Sequence, residues 1–361
     1  MLIGWKQLAG LVVGIALIGL VVGWSGVIGV EASTGHWKIT DWLLHGAMRS
    51  SVRTAAIGTE VPTFSESMLP MAAGHFESGC AVCHGSPAMP PPASLRGMLP
   101  VPPDLKDVIP TWTDAELFQI VQHGVRFTGM PAWPVMERED EVWAMVAFLR
   151  RYPALDAESY RQLAGHAASQ SGDASRVLES CNGCHAPERL YTDSLIPRLA
   201  GQGPAYLRDS LAAYVNGTRP SGVMAVAVQS LSDRDREALA THFASQTAIR
   251  LGTKATSGQL GRGEQIAHSG DSERRVPACH SCHDRTNANP SYPRLSGQPA
   301  AYLVAQLRLF SSGKRGGGPY RAVMSRVAAN LAADDMAAVA AYFATRDPNA
   351  ELPTYAGGER R

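Results

Sequence analysis

The longest apolar stretch of the chain runs from Leu8 to Val30 and contains no charged residue. As a helix, it is long enough to cross a hydrocarbon core of about 30 Å. The hydrophobic region of a secretory signal is shorter, typically about 7–15 residues, so a retained anchor is favoured over a cleaved signal. The alternative is cleavage after Ala32, because Val30 and Ala32 occupy small-residue positions. In both cases the chain beyond Glu31 is predicted to be exported, with the N-terminus cytoplasmic because Lys6 precedes the stretch.

The segment that follows, residues 33–60, is predicted to form an amphipathic juxtamembrane helix. On a helix, one face carries charged residues and another carries apolar ones at the spacing of three and four. The charged set is Asp41, His45, Arg49 and Arg53, and the apolar set is Trp37, Leu44, Met48 and Val52. Tryptophan beside arginine at a membrane exit indicates a helix lying in the interface. A partner membrane subunit against the apolar face is the alternative.

Beyond residue 60, a plan of roughly a hundred residues repeats three times. Each unit has a Cys-x-x-Cys-His motif, a proline-rich loop, a methionine some forty residues later and a closing amphipathic helix. The second and third units match most closely, since Pro197–Gln202 reads PRLAGQ and Pro293–Gln298 reads PRLSGQ. No alternating strand pattern is found. The sequence predicts an all-α protein with a transmembrane segment (1–32), the juxtamembrane segment (33–60) and three small domains (61–155, 156–250 and 251–361).

Helix boundaries in these domains carry local signals. Thr113-Asp-Ala-Glu116 and Ser232-Asp-Arg-Asp235 have the form of capping boxes, and Ala332-Ala-Asp-Asp335 precedes the last apolar segment. The closing helix of the first unit is predicted over residues 140–152. Residues 153–156 and 251–261 read as linkers.

Composition narrows the class of protein. The 361 residues are 45% hydrophobic, which supports several buried cores, and only 18% are charged. A formal net charge of +1 offers no basic stripe, so a nucleic-acid partner is not expected.

All six cysteines belong to the three Cys-x-x-Cys-His motifs. Cysteines three apart share a face of a helical turn and can both add to the vinyl groups of one porphyrin. The histidine that follows is then held beneath the ring, where an imidazole nitrogen binds iron. The sequence therefore predicts three covalently bound haem c groups, held by Cys80, Cys83 and His84, by Cys181, Cys184 and His185, and by Cys279, Cys282 and His283.

Three other uses of such cysteine pairs fit the sequence less well. A thioredoxin-like dithiol needs a βαβ setting, which the pattern lacks. Zinc takes four ligands, whereas a Cys-Cys-His group offers three. Structural disulfides are the third alternative; one motif could arise by chance, but three that use every cysteine of an exported chain favour haem.

Methionine is the expected sixth iron ligand, because a thioether gives a high-potential haem. Met130 stands in the turn-rich TGMPAW segment, with Met136 as runner-up in the same domain. Met224 is the one methionine between the second motif and the end of its domain. Met324 occupies the corresponding place in the third domain, whereas Met336 falls within the closing helix.

Other residues are candidates for further contacts with the haems or with their axial histidines. His123 lies seven residues before Met130 and is the best competing ligand. An axial histidine normally donates its second N–H to a backbone carbonyl. Pro197 and Pro293, with Pro102 or Pro103 in the first domain, are candidates to supply that carbonyl. Arg198 and Arg294 are candidates to pair with haem propionates, or else are solvated.

These motifs carry a resemblance to known families. The second and third domains resemble the tandem diheme cytochromes of the c4 type, through PRLAGQ, PRLSGQ and the VPAC sequence that ends at Cys279. The first domain and anchor resemble membrane-bound bacterial c-type cytochromes, through TGHWKITDWLLHGAMRSSVRT, PVPPDL and ELFQIVQHGVRFTGMPAW. The resemblance implies three cytochrome c-like domains with periplasmic, high-potential haems. One departure is the longer loop before Met324, GKRGGGPYRAVM, compared with GTRPSGVM before Met224.

The expected function is electron transfer, since a Met/His low-spin haem has no open coordination site for a substrate. The chain is predicted to be an electron carrier and not an enzyme, anchored by a single span in the inner (cytoplasmic) membrane with its haem domains in the periplasm. Expected partners are redox proteins: a membrane dehydrogenase, a quinol–cytochrome c reductase or a terminal oxidase, with no small-molecule substrate. One alternative is an electron-accepting subunit of a membrane-bound dehydrogenase complex. The other is a peroxidase with a displaceable sixth ligand.

Overall fold

The computed structural model describes residues 4–27, 29, 35, 37–165, 173–251, 254–286 and 288–351. Over these ranges the chain is helical, and extended pairing is limited to isolated bridges between Ser86 and Met89 and between Asp271 and Val276. The prediction of an all-α protein is confirmed. The alternative cleavage position after Ala32 lies outside the described residues.

Sixteen α-helices lie within the described ranges. Two precede the first motif: α1 (Trp5–Trp24) and α2 (Lys38–Ala55). The next six are α3 (Leu69–His75), α4 (Ala81–His84), α5 (Leu105–Val108), α6 (Asp114–His123), α7 (Glu139–Arg151) and α8 (Ala157–Ala164). The second unit has α9 (Asp173–His185), α10 (Pro204–Val215), α11 (Gly222–Val228) and α12 (Asp233–Ser245). The third has α13 (Ser257–Ser269), α14 (Ala300–Ser311), α15 (Arg321–Ala329) and α16 (Ala333–Thr345).

Helix α1 has 20 residues, and none of them is buried against the rest of the chain. Of the helices in the described ranges, it is the one that is long and apolar enough to cross a membrane. It ends earlier than the apolar stretch does, because Ser25 leads into Gly26, which has a left-handed backbone (φ 71°).

Helix α2 has one charged face that packs on the first unit. The Arg49 guanidinium lies 4.4 Å from the centre of the Trp112 ring and donates to Thr111 Oγ1 at 3.1 Å. Arg53 Nε lies 3.6 Å from Glu116 Oε1. The start of α2 instead leaves large apolar side chains exposed, namely Trp37, Ile39, Trp42 and Leu43. The C-terminal half of α2 is therefore fixed to the first unit by its arginines, while its N-terminal half exposes apolar side chains.

The capping signals are borne out at two helices. Thr113 accepts from the Glu116 N–H at 3.3 Å, while Glu116 Oε2 accepts from the Thr113 N–H at 2.7 Å, at the start of α6. Ser232 and Asp235 make the same reciprocal pair before α12.

The start of the third unit differs from the prediction. The segment 251–261 is not all linker, because Thr256 caps a helix by accepting from the Gln259 N–H at 3.3 Å. At the end of this unit α16 follows Ala332 as predicted, and Asp335 in its first turn pairs with Arg262 at 2.8 Å and Arg274 at 2.5 Å.

Each unit has its own buried cluster. In the first unit, α3 and α7 bury Phe76 against Phe148, with ring centres 5.3 Å apart. Tyr160 and Ala164 of α8 join this cluster, and Tyr160 donates a hydrogen bond to Glu77. Helix α8 thus packs on the first unit, although it lies beyond the boundary predicted after residue 155.

The second and third units meet through their two PRL motifs. The Arg198 N–H donates to Gln298 Oε1 at 3.0 Å, and Gln298 Nε2 donates back to the Arg198 carbonyl at 2.8 Å. The Arg294 N–H and carbonyl make the same pair with Gln202, at 3.0 and 2.6 Å. Equivalent residues therefore make equivalent bonds, which relates the two units by an approximate two-fold axis.

Candidate functional site

The three Cys-x-x-Cys-His motifs are built on different backbones. Cys80 ends a π-helical turn (Phe76–Cys80) that leads into α4, whereas the second motif forms the end of α9. The third motif begins in a 3₁₀ turn (Cys279–Ser281), and its helix α13 has already ended at Ser269. Pro277 disfavours a helix immediately before this motif, since it lacks an N–H and restricts its neighbour. A shared helical turn is thus not what unites the three motifs.

The histidines are what the motifs have in common. Nδ1 of His84 lies 3.3 Å from the carbonyl oxygen of Pro103. Nδ1 of His185 lies 3.0 Å from the Pro197 carbonyl, and Nδ1 of His283 lies 3.0 Å from the Pro293 carbonyl. The prediction that these prolines supply the carbonyls is confirmed, with Pro103 serving in the first unit. An N–H donated from Nδ1 leaves Nε2 as the free, basic nitrogen of each ring.

The protonation state of the three histidines also suits a metal ligand. Burial is the largest influence on each, and it lowers the pKa of His84, His185 and His283 below the ordinary value. Each imidazole is therefore held neutral, which is the form that coordinates iron.

The six cysteines are free thiols, and all are partly buried. Burial raises the pKa of Cys80 and Cys279 to about 12 and that of Cys181 to about 11, so these thiols are neutral in apolar surroundings. Cys80, Cys181 and Cys279 pack against the cores of their own units. Within the ranges that the structure describes, no group of three or more His, Cys, Asp or Glu side chains is arranged to hold a metal ion directly. Unpaired thiols in an apolar wall beside an oriented histidine fit a covalently attached porphyrin.

The predicted methionine ligands lie in two kinds of segment. Met130 is on a loop held closed at its base, where Gly124 (φ 65°) leaves no room for a Cβ against Met130 and Pro131. Its N–H donates to Thr128 Oγ1 at 3.0 Å. Met224 and Met324 instead lie in the first turns of α11 and α15. All three side chains are half-buried. Their assignment as sixth ligands stays a prediction.

Met224 has the most direct structural support of the three. Its side chain packs with Cys181 against the core of the second unit. Its N–H donates to the Oγ of the capping residue Ser221 at 3.1 Å, which fixes the first turn of α11. A cysteine of the second motif and the methionine predicted for the same haem thus pack against one core.

The alternative candidates for the sixth iron ligand lie in other surroundings. Met136 Sδ lies 3.9 Å from Gln122 Nε2, which also donates to the Met136 carbonyl at 2.8 Å. Met336 is buried in the third core, as its place in the closing helix predicted. His123 is exposed at the end of α6.

Buried arginines mark the contact between the second and third units. Arg198 is 2% exposed and donates to the carbonyls of Ser296 at 2.6 Å and Gly297 at 3.2 Å, so it is neither solvated nor paired with an acid there. Burial lowers its pKa to about 10. Arg219 and Arg315 are also buried, beside the rings of Tyr214 and Phe310. The Arg198 guanidinium is thus occupied by backbone carbonyls, and a propionate partner for it stays a prediction.

The first unit lies against the second motif, which no sequence signal revealed. A Cβ on Gly74 of α3 would come within 2.8 Å of Cys184 Sγ. Gly165 (φ 82°) ends α8 and faces the Gly183 carbonyl so closely that a Cβ would collide with it. His75, next to Gly74 in the chain, contacts the Trp133 ring in a tilted arrangement, with ring centres 4.7 Å apart. Gly74 and Cys184 are remote in the chain, so no local pattern connects them.

Comparisons with known proteins show similarity to c-type cytochromes. A family model described as cytochrome c oxidase, cbb3-type, subunit III matches residues 70–149. The chain is 33% identical over 191 residues to cytochrome c4 of Azotobacter vinelandii, covering 49% of this chain and 90% of that protein. It is 32% identical over 171 residues to the thiosulfate dehydrogenase electron acceptor of Thiomonas intermedia (strain K12), covering 46% and 78%. The crystal structure of reduced recombinant cytochrome c4 from Pseudomonas stutzeri aligns at 30% identity with a TM-score of 0.41, covering 49% of this chain and all of that one.

Proposed function

Because the chain belongs to the cytochrome c4 family and is an electron-transfer c-type cytochrome, we propose that it is a membrane-anchored carrier of three haem c groups, one at each Cys-x-x-Cys-His motif. The observation that carries the proposal is the repeated arrangement of the axial histidine. His84, His185 and His283 each follow a pair of free thiols, and each has Nδ1 within 3.3 Å of a proline carbonyl.

The residues of this chain would hold each haem and leave no free coordination site on its iron. Haem c supplies one-electron chemistry through its iron. The proline carbonyls orient the histidines and increase their basicity, while Met130, Met224 and Met324 are the proposed sixth ligands. With both axial positions taken by side chains, a haem passes electrons without binding a substrate.

Helices α1 and α2 support a membrane location. The 20 residues of α1 match the thickness of a hydrocarbon core of about 30 Å. The start of α2, with Trp37 and Trp42 exposed, suits the membrane interface. We therefore place the anchor in the cytoplasmic membrane, as a single span, and the three units in the periplasm.

The proposed role is a relay between a respiratory donor and an acceptor such as a terminal oxidase. The second candidate is the electron-transfer subunit of a membrane-bound dehydrogenase complex. Similarity to the thiosulfate dehydrogenase electron acceptor of Thiomonas intermedia favours this candidate, since that protein is named for receiving electrons from a dehydrogenase.

The haem count is tested by intact mass and haem absorbance of the purified holoprotein. We expect three covalent haems per chain, and two in each double variant that lacks one cysteine pair: C80S/C83S, C181S/C184S or C279S/C282S. A wild-type chain with fewer than three covalent haems would refute the triheme proposal. Extraction tests the anchor separately: the protein should need detergent, and alkaline carbonate should leave it in the membrane fraction.

Copurification from solubilised membranes separates the two candidate roles. A large dehydrogenase subunit in stoichiometric amount would support the second role. A cytochrome that is extracted from the membrane without a partner subunit, and that is oxidised by membranes containing a terminal oxidase, would support the first role.

A further inference from the structure

A carboxylate of the first unit holds the segment that carries Met224 in the second unit. Glu141, in α7, is 2% exposed. Its Oε1 accepts from Ser221 Oγ at 2.6 Å, and its Oε2 accepts from the Gly222 N–H at 2.6 Å and the Val223 N–H at 3.3 Å. These groups lie at the beginning of α11, in the three residues that directly precede Met224.

The contact continues directly to the methionine. Ser221 Oγ donates to Glu141 and also accepts from the Met224 N–H at 3.1 Å. A carboxylate at a helix start satisfies N–H groups that otherwise have no partner in the helix. Because Glu141 and Ser221 satisfy successive N–H groups, the backbone of the first turn of α11 is fixed by a residue from a different unit.

A second residue of the first unit, Arg138, directly precedes α7 and strengthens the Glu141 clamp, by which we mean the contacts of Glu141 with residues 221–223. Arg138 Nη1 donates to the Pro220 carbonyl at 2.8 Å and lies 3.0 Å from Glu141 Oε1. Burial raises the pKa of Glu141, but this guanidinium and the hydrogen bonds from Ser221 and Gly222 favour its charged form. Segment 220–223 is therefore held by the Arg138 guanidinium at Pro220 and by the Glu141 carboxyl group at the three residues that follow.

The same carboxylate also contacts the loop that carries Met130. Trp133 Nε1 donates to Glu141 Oε2 at 3.4 Å. The indole lies on Gly222 so closely that a Cβ there would collide with it. The proposed ligand segments of the first two haems thus meet at one buried acid.

The third unit offers an internal comparison. Met324 lies in the first turn of α15, as Met224 does in α11. The residue before that helix, Tyr320, makes no side-chain capping hydrogen bond. The clamp is therefore a feature of the contact between the first and second units and not of the repeated domain.

We infer that Glu141 is a positioning residue for Met224: the first unit, through this carboxylate, holds the sixth ligand of the second haem on its iron. The inference rests on the proposed function, in which Met224 is that ligand. A thioether is a weak ligand for ferric iron, so its retention depends on how firmly its backbone is placed.

The test compares E141A with E139Q in the full holoprotein. Glu139 lies on the same turn of α7, is more than half exposed and has Lys314 at 4.0 Å, which makes it a matched control. The readout is the charge-transfer absorption of methionine-ligated ferric haem at a fixed pH. We expect E141A to lose about one third of this absorption, which is the share of one haem in three, and E139Q to keep all of it.

M224A separates failure of the inference from failure of the ligand assignment. If Met224 is the ligand, M224A loses the same third, and adding E141A to it removes nothing more. A full signal in E141A beside a reduced one in M224A overturns the inference alone. A full signal in M224A overturns the assignment of Met224 and the inference with it.

E141Q keeps the inference testable if E141A does not fold. Glutamine has the same shape but only one acceptor oxygen, so it holds the start of α11 less firmly. We therefore expect the third of the absorption that belongs to the second haem to disappear at a lower temperature than in the wild type. Haem content and far-ultraviolet circular dichroism check that the chain is folded. A melting profile of this absorption that matches those of the wild type and E139Q overturns the inference.

Discussion

Gln202 and Gln298 occupy equivalent positions in the second and third units, and each makes two hydrogen bonds with the backbone of the opposite unit. Gln202 binds the N–H and carbonyl of Arg294, and Gln298 binds those of Arg198. Both glutamines are buried. A primary amide is suited to this position because it offers an acceptor to the N–H and a donor to the carbonyl of one residue at the same time.

Replacing Gln298 with alanine should destabilise the contact between these two units. The variant leaves the buried Arg198 N–H without its acceptor, which costs about 1–3 kcal/mol. Equilibrium urea unfolding measures the change, with Q162A as control because Gln162 is exposed on α8. A free energy of unfolding for Q298A within about 0.5 kcal/mol of that for Q162A would contradict the expectation.

Met324 and Met336 should respond differently to substitution. M324A is expected to lower the reduction potential of one haem and let its ferrous form bind carbon monoxide, since an axial position is opened. M336L should leave all potentials unchanged and cost less than about 1.5 kcal/mol of stability, because Met336 packs in the core. Potentiometric titration with carbon monoxide difference spectra makes the comparison. The ligand assignment fails if M324A retains three wild-type potentials.

Stability should fall in mild acid because of His75. Burial lowers the pKa of His75 to about 4, and Nδ1 has no hydrogen-bond partner among the described residues. Between pH 6.5 and 4 the unfolded chain binds a proton at this site that the folded chain does not, so stability rises with pH through that window. The free energy of unfolding therefore decreases as the pH falls from 6.5 towards 4. Between pH 7 and 4.5 the decrease is about 2 kcal/mol.

The variant H75F isolates this effect, because phenylalanine keeps an aromatic ring against Trp133 and does not titrate. Urea unfolding at pH 7 and 4.5 should show a smaller pH-dependent loss for H75F than for the wild type. Equal losses in the two proteins would rule out His75 as the source.

Gly165 should be far less tolerant of substitution than Gly58. Both have a left-handed backbone (φ 82° and 78°), so alanine costs about 1–2 kcal/mol at either position. At Gly165 the new Cβ also collides with the Gly183 carbonyl, between the cysteines of the second motif, whereas Gly58 has open space. We expect G165A to carry less haem at the second motif and G58A to carry the wild-type amount. Haem-to-protein ratios decide the matter, and equal ratios would contradict the expected clash.

The helical signals and the histidine partners could be predicted because both are local. Thr113 and Glu116 are three residues apart, so their reciprocal bonds follow from helix geometry. The proline carbonyl that faces each axial histidine lies 10–19 residues away along the chain. Similar loops of that length bring the same two groups together in all three units.

The role of Arg198 could not be predicted in this way. It follows the proline that faces His185, which suggested a propionate or solvent as its partner. The structure buries it against carbonyls of the third unit, close to a hundred residues away. Glu141 is similar: from sequence it is one of several acidic residues at the start of a helix, and only packing places it on α11.

The sequence by itself determined the cofactor chemistry and the helical class, because Cys-x-x-Cys-His spacing, caps and apolar periodicity act over a few residues. The tertiary structure decided how the units meet: the exchange between Gln202 and Gln298, the attachment of α8 to the first unit, and the Glu141 clamp. Each of these contacts joins residues that are remote in the chain. Their geometry depends on the shape of two complete surfaces, which local pattern does not encode.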